Sequence, residues 1–411
     1  MLASVPTALA AFLDSGTGSP ANPYHIASAD DLDEFAREVA WGQTFRGRYV
    51  VLDTDLDLSG HSGFTPIGIC GDEAATSASF QGHFDGLFHT ISGLEIIADE
   101  EQPATGLFAS IDGGGSVCNL RLAPDCYVSG NTNVGMLAGK VWDGDIIFCS
   151  NHGRVNGQSR AGGLVGDIKA GTIHGCSNHG AVETSQAGAG GIIGRADGHV
   201  SVSGCYNTGH ISARRPGACA GIAAMAYSAV DFAACYNTGI ITGKYSEAFE
   251  ISPAPIASDI PELIWTGSID GCCYITPADG LTQPGATEFT RHEMESQTAV
   301  DFLNDHLPPA DGISSLTLLT YPFADTVYTL PPANFNGSLP VLGWELRGYA
   351  AIGQIQAANA ARLEINGTTV RAADGRVIQA YAPTGNMVDR GVTLDLPQGF
   401  YIVEGQKVLI R

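Results

Sequence analysis

Positive charge is what this chain has least of. Its 411 residues hold 20 lysines and arginines against 43 aspartates and glutamates, a formal net charge of −23. Only four of the cations are lysines: Lys140, Lys169, Lys244 and Lys407. A nucleic-acid partner demands a basic face, so this balance excludes that class. Long apolar runs are also missing, and without 18 consecutive apolar residues no transmembrane helix is predicted. No Cys-x-x-Cys occurs, and the His/Cys spacing fits no zinc frame. A nucleophile elbow and a dinucleotide fingerprint are absent too. Gly113-Gly114-Gly115 lacks the Lys-Ser/Thr that a phosphate loop carries, which leaves it a corner.

What is abundant is glycine, 53 residues spread through ordered-looking segments, as expected of a fold with many tight corners. There are also ten cysteines, and most recur in a repeat. Cys149-Ser150-Asn151-His152-Gly153 returns as Cys176-Ser177-Asn178-His179-Gly180, as Cys205-Tyr206-Asn207-Thr208-Gly209 and as Cys235-Tyr236-Asn237-Thr238-Gly239. The cysteines are 27, 29 and 30 residues apart. Three residues before them stand Ile146, Ile173, Val202 and Phe232; six after stand Val155, Val182, Ile211 and Ile241. Further upstream lie Leu137, Leu164, Ile192 and Ile222 among small residues, most clearly in Gly163-Leu164-Val165-Gly166 and Gly191-Ile192-Ile193-Gly194.

Each unit therefore holds three apolar segments too short for helices but adequate for strands, divided by glycine or Asn-Gly corners. A unit this small cannot bury its own inward face. Coiling successive units so that like strands pair solves the problem, and the predicted fold class is all-β, a right-handed parallel β-helix with coils of 27–30 residues. Equivalent residues then stack at about 4.8 Å. Cys149, Cys176, Cys205 and Cys235 should form an interior ladder of buried thiols, with inter-coil disulfides geometrically open. Asn151, Asn178, Asn207 and Asn237 should form a second ladder, bonded along itself and to corner backbone.

These Gly-Leu-Val/Ile-Gly elements resemble the bacterial GLUG β-helix repeats. The looser copies are Gly135-Met136-Leu137-Ala138-Gly139 and Gly221-Ile222-Ala223-Ala224. The resemblance reaches upstream through Asn22–Ile26, Leu52–Leu58, Pro66-Ile67-Gly68 and Phe80–Gly86, and downstream to Leu339-Pro340-Val341-Leu342 near Trp344. It covers roughly residues 14–345, with repeat coils over about 80–245 and a C-terminal cap over 246–345. Leu32, Phe35, Ala36 and Val39 at helical spacing, behind Asp30-Asp31, predict an amphipathic helix that covers the first coil. A second helix is expected from Arg291 to Leu307. Met1 to Ala11, with the wider span 1–13, reads as a leader or shortened signal segment.

From about residue 357 to 411 the vocabulary changes to Leu363-Glu364-Ile365, Val377–Tyr381, Thr393–Leu396 and Phe400–Val403 with glycine turns between. That alternation predicts a small antiparallel β-sandwich domain. Tyr381 and Gly385, Leu396-Pro397-Gln398-Gly399-Phe400-Tyr401-Ile402-Val403 and the terminal Lys407–Arg411 resemble type IX secretion sorting domains. That resemblance implies export through the periplasm to the outer surface of a Bacteroidetes-type cell.

Catalytic chemistry is sparse in the sequence. Two carboxylates at matched positions would suit a glycosidase. Asp167 and Asp197 come nearest but fall at different offsets; Asp143, Asp145 and Asp231 are out of register, and all read as solvated corners. Asp53, Asp55 and Asp57 alternate along one strand, a calcium-like pattern read here as a polar face. His152 and His179 should stack, and without a third ligand they read as an exposed ladder position rather than a metal site. The expectation is a non-enzymatic, adhesin-like surface protein with no catalytic residues, metal or cofactor, whose partners are host or environmental glycans or surface proteins. A polysaccharide lyase or glycoside hydrolase is the alternative, and it predicts a groove lined by aromatics and two or three charged residues from neighbouring coils.

Overall fold

A computed structural model describes residues 12–61, 63–71, 73–74, 78–99, 101–186, 188–244, 253–258, 265–275, 281–308, 328–331, 336–346 and the strands within 363–410. Of the span 1–13 expected to be a leader, residues 1–11 lie outside these. The chain divides into two compact units, Met1–Leu342 and Gly343–Arg411. The first is a parallel β-helix of about seven turns. Three parallel sheets of 11, 8 and 9 strands run along it.

Register follows the repeat. On the 11-stranded sheet Tyr24, Val50, Phe84, Val117, Ile146, Ile173, Val202, Phe232 and Ile269 pair in succession. The seven from Val50 to Phe232 are fully buried and fill the solenoid with apolar area. Pairing therefore begins before residue 80 and runs past Gly239, through Cys273–Ile275 to Thr287–Phe289.

Each coil turns into the 9-stranded sheet through one left-handed residue: Asn119, Phe148, Gly175, Gly204, Ala234 and Gly271, with φ of 56°, 51°, 61°, 60°, 51° and 55°. Three are glycine because that backbone region costs a side chain energy. The cysteine ladder follows it. Cys149, Cys176, Cys205 and Cys235 are buried and stacked, and all ten cysteines are free thiols. Cys272 joins the row, since Cys273 pairs with Tyr236 and the Cys235 N–H donates to Cys272 Sγ at 3.4 Å. Burial pushes the Cys176, Cys235 and Cys272 thiols well up, so they stay protonated.

Two residues on, the asparagine ladder closes on itself. Asn151 Nδ2 donates to Asn178 Oδ1 at 2.8 Å, Asn178 to Asn207 at 2.7 Å and Asn207 to Asn237 at 2.8 Å. Each Nδ2 also donates to the carbonyl two residues ahead, at 2.9–3.2 Å. Gly163 explains why the two sequence motifs travel together: a Cβ there would sit 2.5 Å from Asn178 Cγ. The first glycine of the Gly-Leu-Val-Gly element makes room for the amide.

The ends are covered. Helix α1 (Ala29–Ala40) is capped by Ser28, whose side chain accepts from the Asp31 N–H, and it buries Leu32, Phe35, Ala36 and Val39 as the spacing predicts. Phe35 plugs the solenoid mouth among Phe80, Phe84 and Phe108, with centroids 5.5–6.4 Å away. Phe12 joins this cluster. The single helix expected from Arg291 to Leu307 is instead two, α2 (Arg291–Met294) and α3 (Gln297–Asp305), because Ser296 starts a new N-cap between them. At the far corner Tyr328 Oη donates to the Ala234 carbonyl at 2.9 Å.

The second unit holds two antiparallel sheets. One joins Leu363–Asn366, Thr369–Ala372 and Thr393–Asp395; the other joins Ile378–Tyr381, Met387–Gly391, Gly399–Val403 and Gln406–Ile410.

Candidate functional site

Inward residues of the large sheet alternate with outward ones. Val141, Ile168, Ala196 and Ala226 point inward and are fully buried. Their neighbours Lys140, Asp167, Arg195 and Met225 therefore face out, and the register places them in one row across four coils. Asp167 is only 1% exposed there, and Lys140 is 12% exposed. Lys140 Nζ lies 3.8 Å from Asp167 Oδ2, and Arg195 Nε 4.0 Å from Asp167 Oδ1.

A second row lies beside it. Strand Ile193–Ser203 carries one residue more than strand Val165–His174, and the register shifts after Ile168. Gly198, at φ 112°, takes up the bulge. Lys169 then reaches Asp197, Nζ to Oδ2 2.6 Å, while Arg195 Nη2 donates to the same oxygen at 2.8 Å. Ser228 Oγ donates to Asp197 Oδ1 at 3.3 Å. Two aromatic rings border the charges. Lys140 Nζ is 3.6 Å from the Trp142 ring centroid, and Arg195 Cζ is 5.2 Å from that of Tyr227.

The electrostatics differ between the rows. Burial lowers the Lys140 ammonium, and the Asp167 carboxylate only partly offsets it. Burial alone would raise Asp197, but Lys169, Arg195 and Ser228 outweigh it and hold the carboxyl below its usual range. Asp197 is saturated. Asp167 is not: its Oδ1, with Arg195 Nε and Trp142 Nε1, is buried without a hydrogen-bond partner among the described residues. Each such atom costs about 1–3 kcal/mol.

The sequence expectation for these aspartates needs correction. Asp167 is a buried strand residue, not a solvated corner, and it stacks on Arg195 rather than on Asp197. Asp145 and Asp231 do share a row, through Thr172 and Ser201. Three coil steps separate them by about 14 Å, too far for a glycosidase pair. Asp145 Oδ1 accepts the Thr172 N–H and Asp231 Oδ1 the Ser268 N–H. Asp143 lies in the turn before this strand, where its carbonyl accepts the Gly114 N–H.

Asp53, Asp55 and Asp57 do not share one strand. They bind separate partners: His25 Nδ1 at 3.0 Å, His89 Nδ1 at 3.1 Å and the Ser59 N–H at 2.9 Å. His152 and His179 stack at 4.3 Å as expected. His179 bonds Thr208 Oγ1 at 2.9 Å and Tyr206 Oη at 3.2 Å, which engages both ring nitrogens. Among the described residues, a set able to hold a cation is Asp30, Asp33 and His61, which the sequence reading missed because residue 61 is remote in sequence from α1. His61 Nε2 lies 2.6 Å from Asp33 Oδ2. Two serine–histidine pairs also cross coils, His83–Ser116 and His174–Ser203, both at 2.8 Å. Their recurrence on one sheet, the second fully buried, reads as cross-coil architecture.

Comparison of the chain with protein-family models gives no match, and none is found among curated proteins. Among solved structures the chain is similar to a Bacteroides ovatus protein provisionally named an immunoglobulin A1 protease. The TM-score is 0.55 at 19% identity, over 80% of this chain and 94% of that one. At that identity the likeness speaks for the fold.

Proposed function

We propose that this is a secreted or cell-surface β-helix protein that binds glycans, or glycan-bearing surface proteins, through the outer face of its large sheet. The observation that carries the reading is the outward row of Lys140, Asp167 and Arg195 flanked by the Trp142 and Tyr227 rings. A saccharide offers ring faces that pack on aromatic side chains and hydroxyls that both donate and accept beside charged ones. The Gly-Leu-Val-Gly elements with their amide ladder support membership of the GLUG type. Tyr381, Leu396–Val403 and Lys407–Arg411 support a type IX sorting tail. The neighbour's provisional name does not carry over as an activity, since at 19% identity the likeness speaks for the fold alone.

Titration of the full-length protein with a broad glycan panel tests the binding, alongside an Arg195→Gln variant that should bind at least tenfold more weakly. Silence across the panel would sink it. Export is tested by deleting residues 357–411, which should trap the protein in the periplasm; unchanged surface display would remove that claim.

A second reading is a carbohydrate-active enzyme on the same face. Lys140 favours it, because an ammonium lowered by burial gives up its proton more readily. Polysaccharide cleavage abolished by Lys140→Met would promote it.

A further inference from the structure

The first coils carry a cavity on the outer face of the 11-stranded sheet, and none of its lining residues belongs to the Lys140 row. Val50 and Phe84 are fully buried, so their neighbours Tyr49, Val51, His83 and Asp85 face outward. The register sets Ser116 beside His83 and Cys118 beside Asp85. Earlier in the chain Ser19 bridges Asn22 in a turn, which the Tyr49 N–H ties to the sheet by donating to the Gly18 carbonyl at 3.0 Å. Pro20 and Pro23, in and just after this turn, join Tyr49 and Val51 as apolar walls of a cavity of about 100 Å³. His83, Asp85 and Ser116 line it as well.

The charge inside is of one sign. His83 is clamped, its ring 4.7 Å from that of Tyr49 and its Nδ1 2.8 Å from Ser116 Oγ. Burial holds this imidazole below its usual range, with Asp145 only partly opposing, so the ring is uncharged at neutral pH. Asp85 is 8% exposed, and its Oδ1 accepts the Leu87 N–H and Asn119 Nδ2, each at 2.8 Å. Both donors are neutral groups, so they orient the carboxylate without cancelling its charge. No lysine or arginine is among the described residues that line the cavity. A small apolar space with one carboxylate at its wall is complementary to a cation with an apolar body.

We propose that this cavity binds a short alkylammonium ion, its nitrogen beside Asp85 and its methylenes against Pro20, Pro23 and Val51. Size sets the length of the ligand. A dry cavity of about 150 Å³ takes benzene, so this one holds about four or five non-hydrogen atoms, as in propyl- or butylammonium. The Tyr49 ring adds a face that favours a cation over a neutral body of equal size. A free amine and the end of a lysine side chain share this chemistry. The site is independent of the glycan reading, so either can fail alone.

Ligand-observed NMR titration of the full-length protein tests this with butylammonium, n-butanol as its neutral isostere, butyrate, and a peptide with capped termini and one lysine. Butylammonium should bind more tightly than n-butanol by about tenfold or more, and butyrate should not bind. Both amines binding supports the site and admits a partner's lysine; the free amine alone supports it as a small-molecule site. Asp85→Asn keeps an acceptor for Leu87 and Asn119 but removes the charge, and it should abolish the preference at an unchanged thermal midpoint. Asp270→Asn is the charge-matched control. It stands in the same outward row six coil steps away, about 29 Å and well beyond the screening length, and should preserve the preference. Should Asp85→Asn fail to fold, Val51→Phe fills the cavity with the carboxylate in place and should block binding. Equal binding of amine and alcohol, undiminished binding in either cavity variant, or silence with both amines overturns the inference.

Discussion

Two rows of side chains run along one solenoid under one register, and they differ in what they leave open. In the asparagine row the residue type repeats, Asn151, Asn178 and Asn207 each donate twice, and glycine lies over glycine at the corner. In the Lys140–Asp167–Arg195 row the residue type changes at each coil, the contacts stretch to 3.8–4.0 Å, and buried atoms lack partners. Repetition of identical residues yields a closed, self-satisfying structure. Alternation of complementary ones yields a surface that can take something else in.

Breaking the closed row should cost most. Asn178→Ala removes two donated hydrogen bonds and one acceptor from a dry interior, leaving Asn151 Nδ2 without its acceptor and Asn207 Oδ1 without its donor. The expected loss is about 3–5 kcal/mol in urea unfolding, the sum of several buried polar groups left unpaired. A loss under about 1 kcal/mol would mean that the amides are passengers.

His174 gives the next effect. Burial lowers it to about 4, so between the ordinary imidazole value and pH 4 the unfolded chain binds a proton that the folded chain does not. Stability is therefore full above about pH 6.5 and falls as pH drops toward 4, by about 3 kcal/mol at about 1.36 kcal/mol per unit. In His174→Gln this part of the pH slope should vanish; an unchanged slope would refute it.

Gly163→Ala follows, at about 1–3 kcal/mol for an over-packed site, read as a lowered denaturation midpoint. On the open row the expected stability change is smallest. Asp167→Asn should shift unfolding by less than about 1 kcal/mol, because the amide gives up ion pairs of 3.8 and 4.0 Å while relieving the burial of a charge whose Oδ1 has no hydrogen bond. A large stability loss there would erase the contrast between the rows.

The ladders were legible because identical residues recur at spacings of 27–30, which no other architecture explains as simply. The capping helix was legible from four apolar positions at helical period. Cys272 was not, since it follows Cys235 by 37 residues in a segment without the Asn-Gly corner. Nor was the open row. A search for self-similarity finds sameness, and Lys140, Asp167 and Arg195 are alike only in position. Asp197 stands two residues beyond Arg195, the residue opposite Asp167, so both looked like stray corner acids. The break between α2 and α3 rests on a single serine, Ser296, that a long helical pattern runs straight over.

The asparagine amides all point the same way, nitrogen of one coil toward oxygen of the next. Such a file has a head and a tail, so its parts are interchangeable only in the original orientation. Whole coils could be duplicated or deleted by tandem copying, and the chain of amides would rejoin at the seam. A coil grafted in reverse would set oxygen against oxygen. The protein's length is thus free to evolve in steps of one turn, while its direction is fixed.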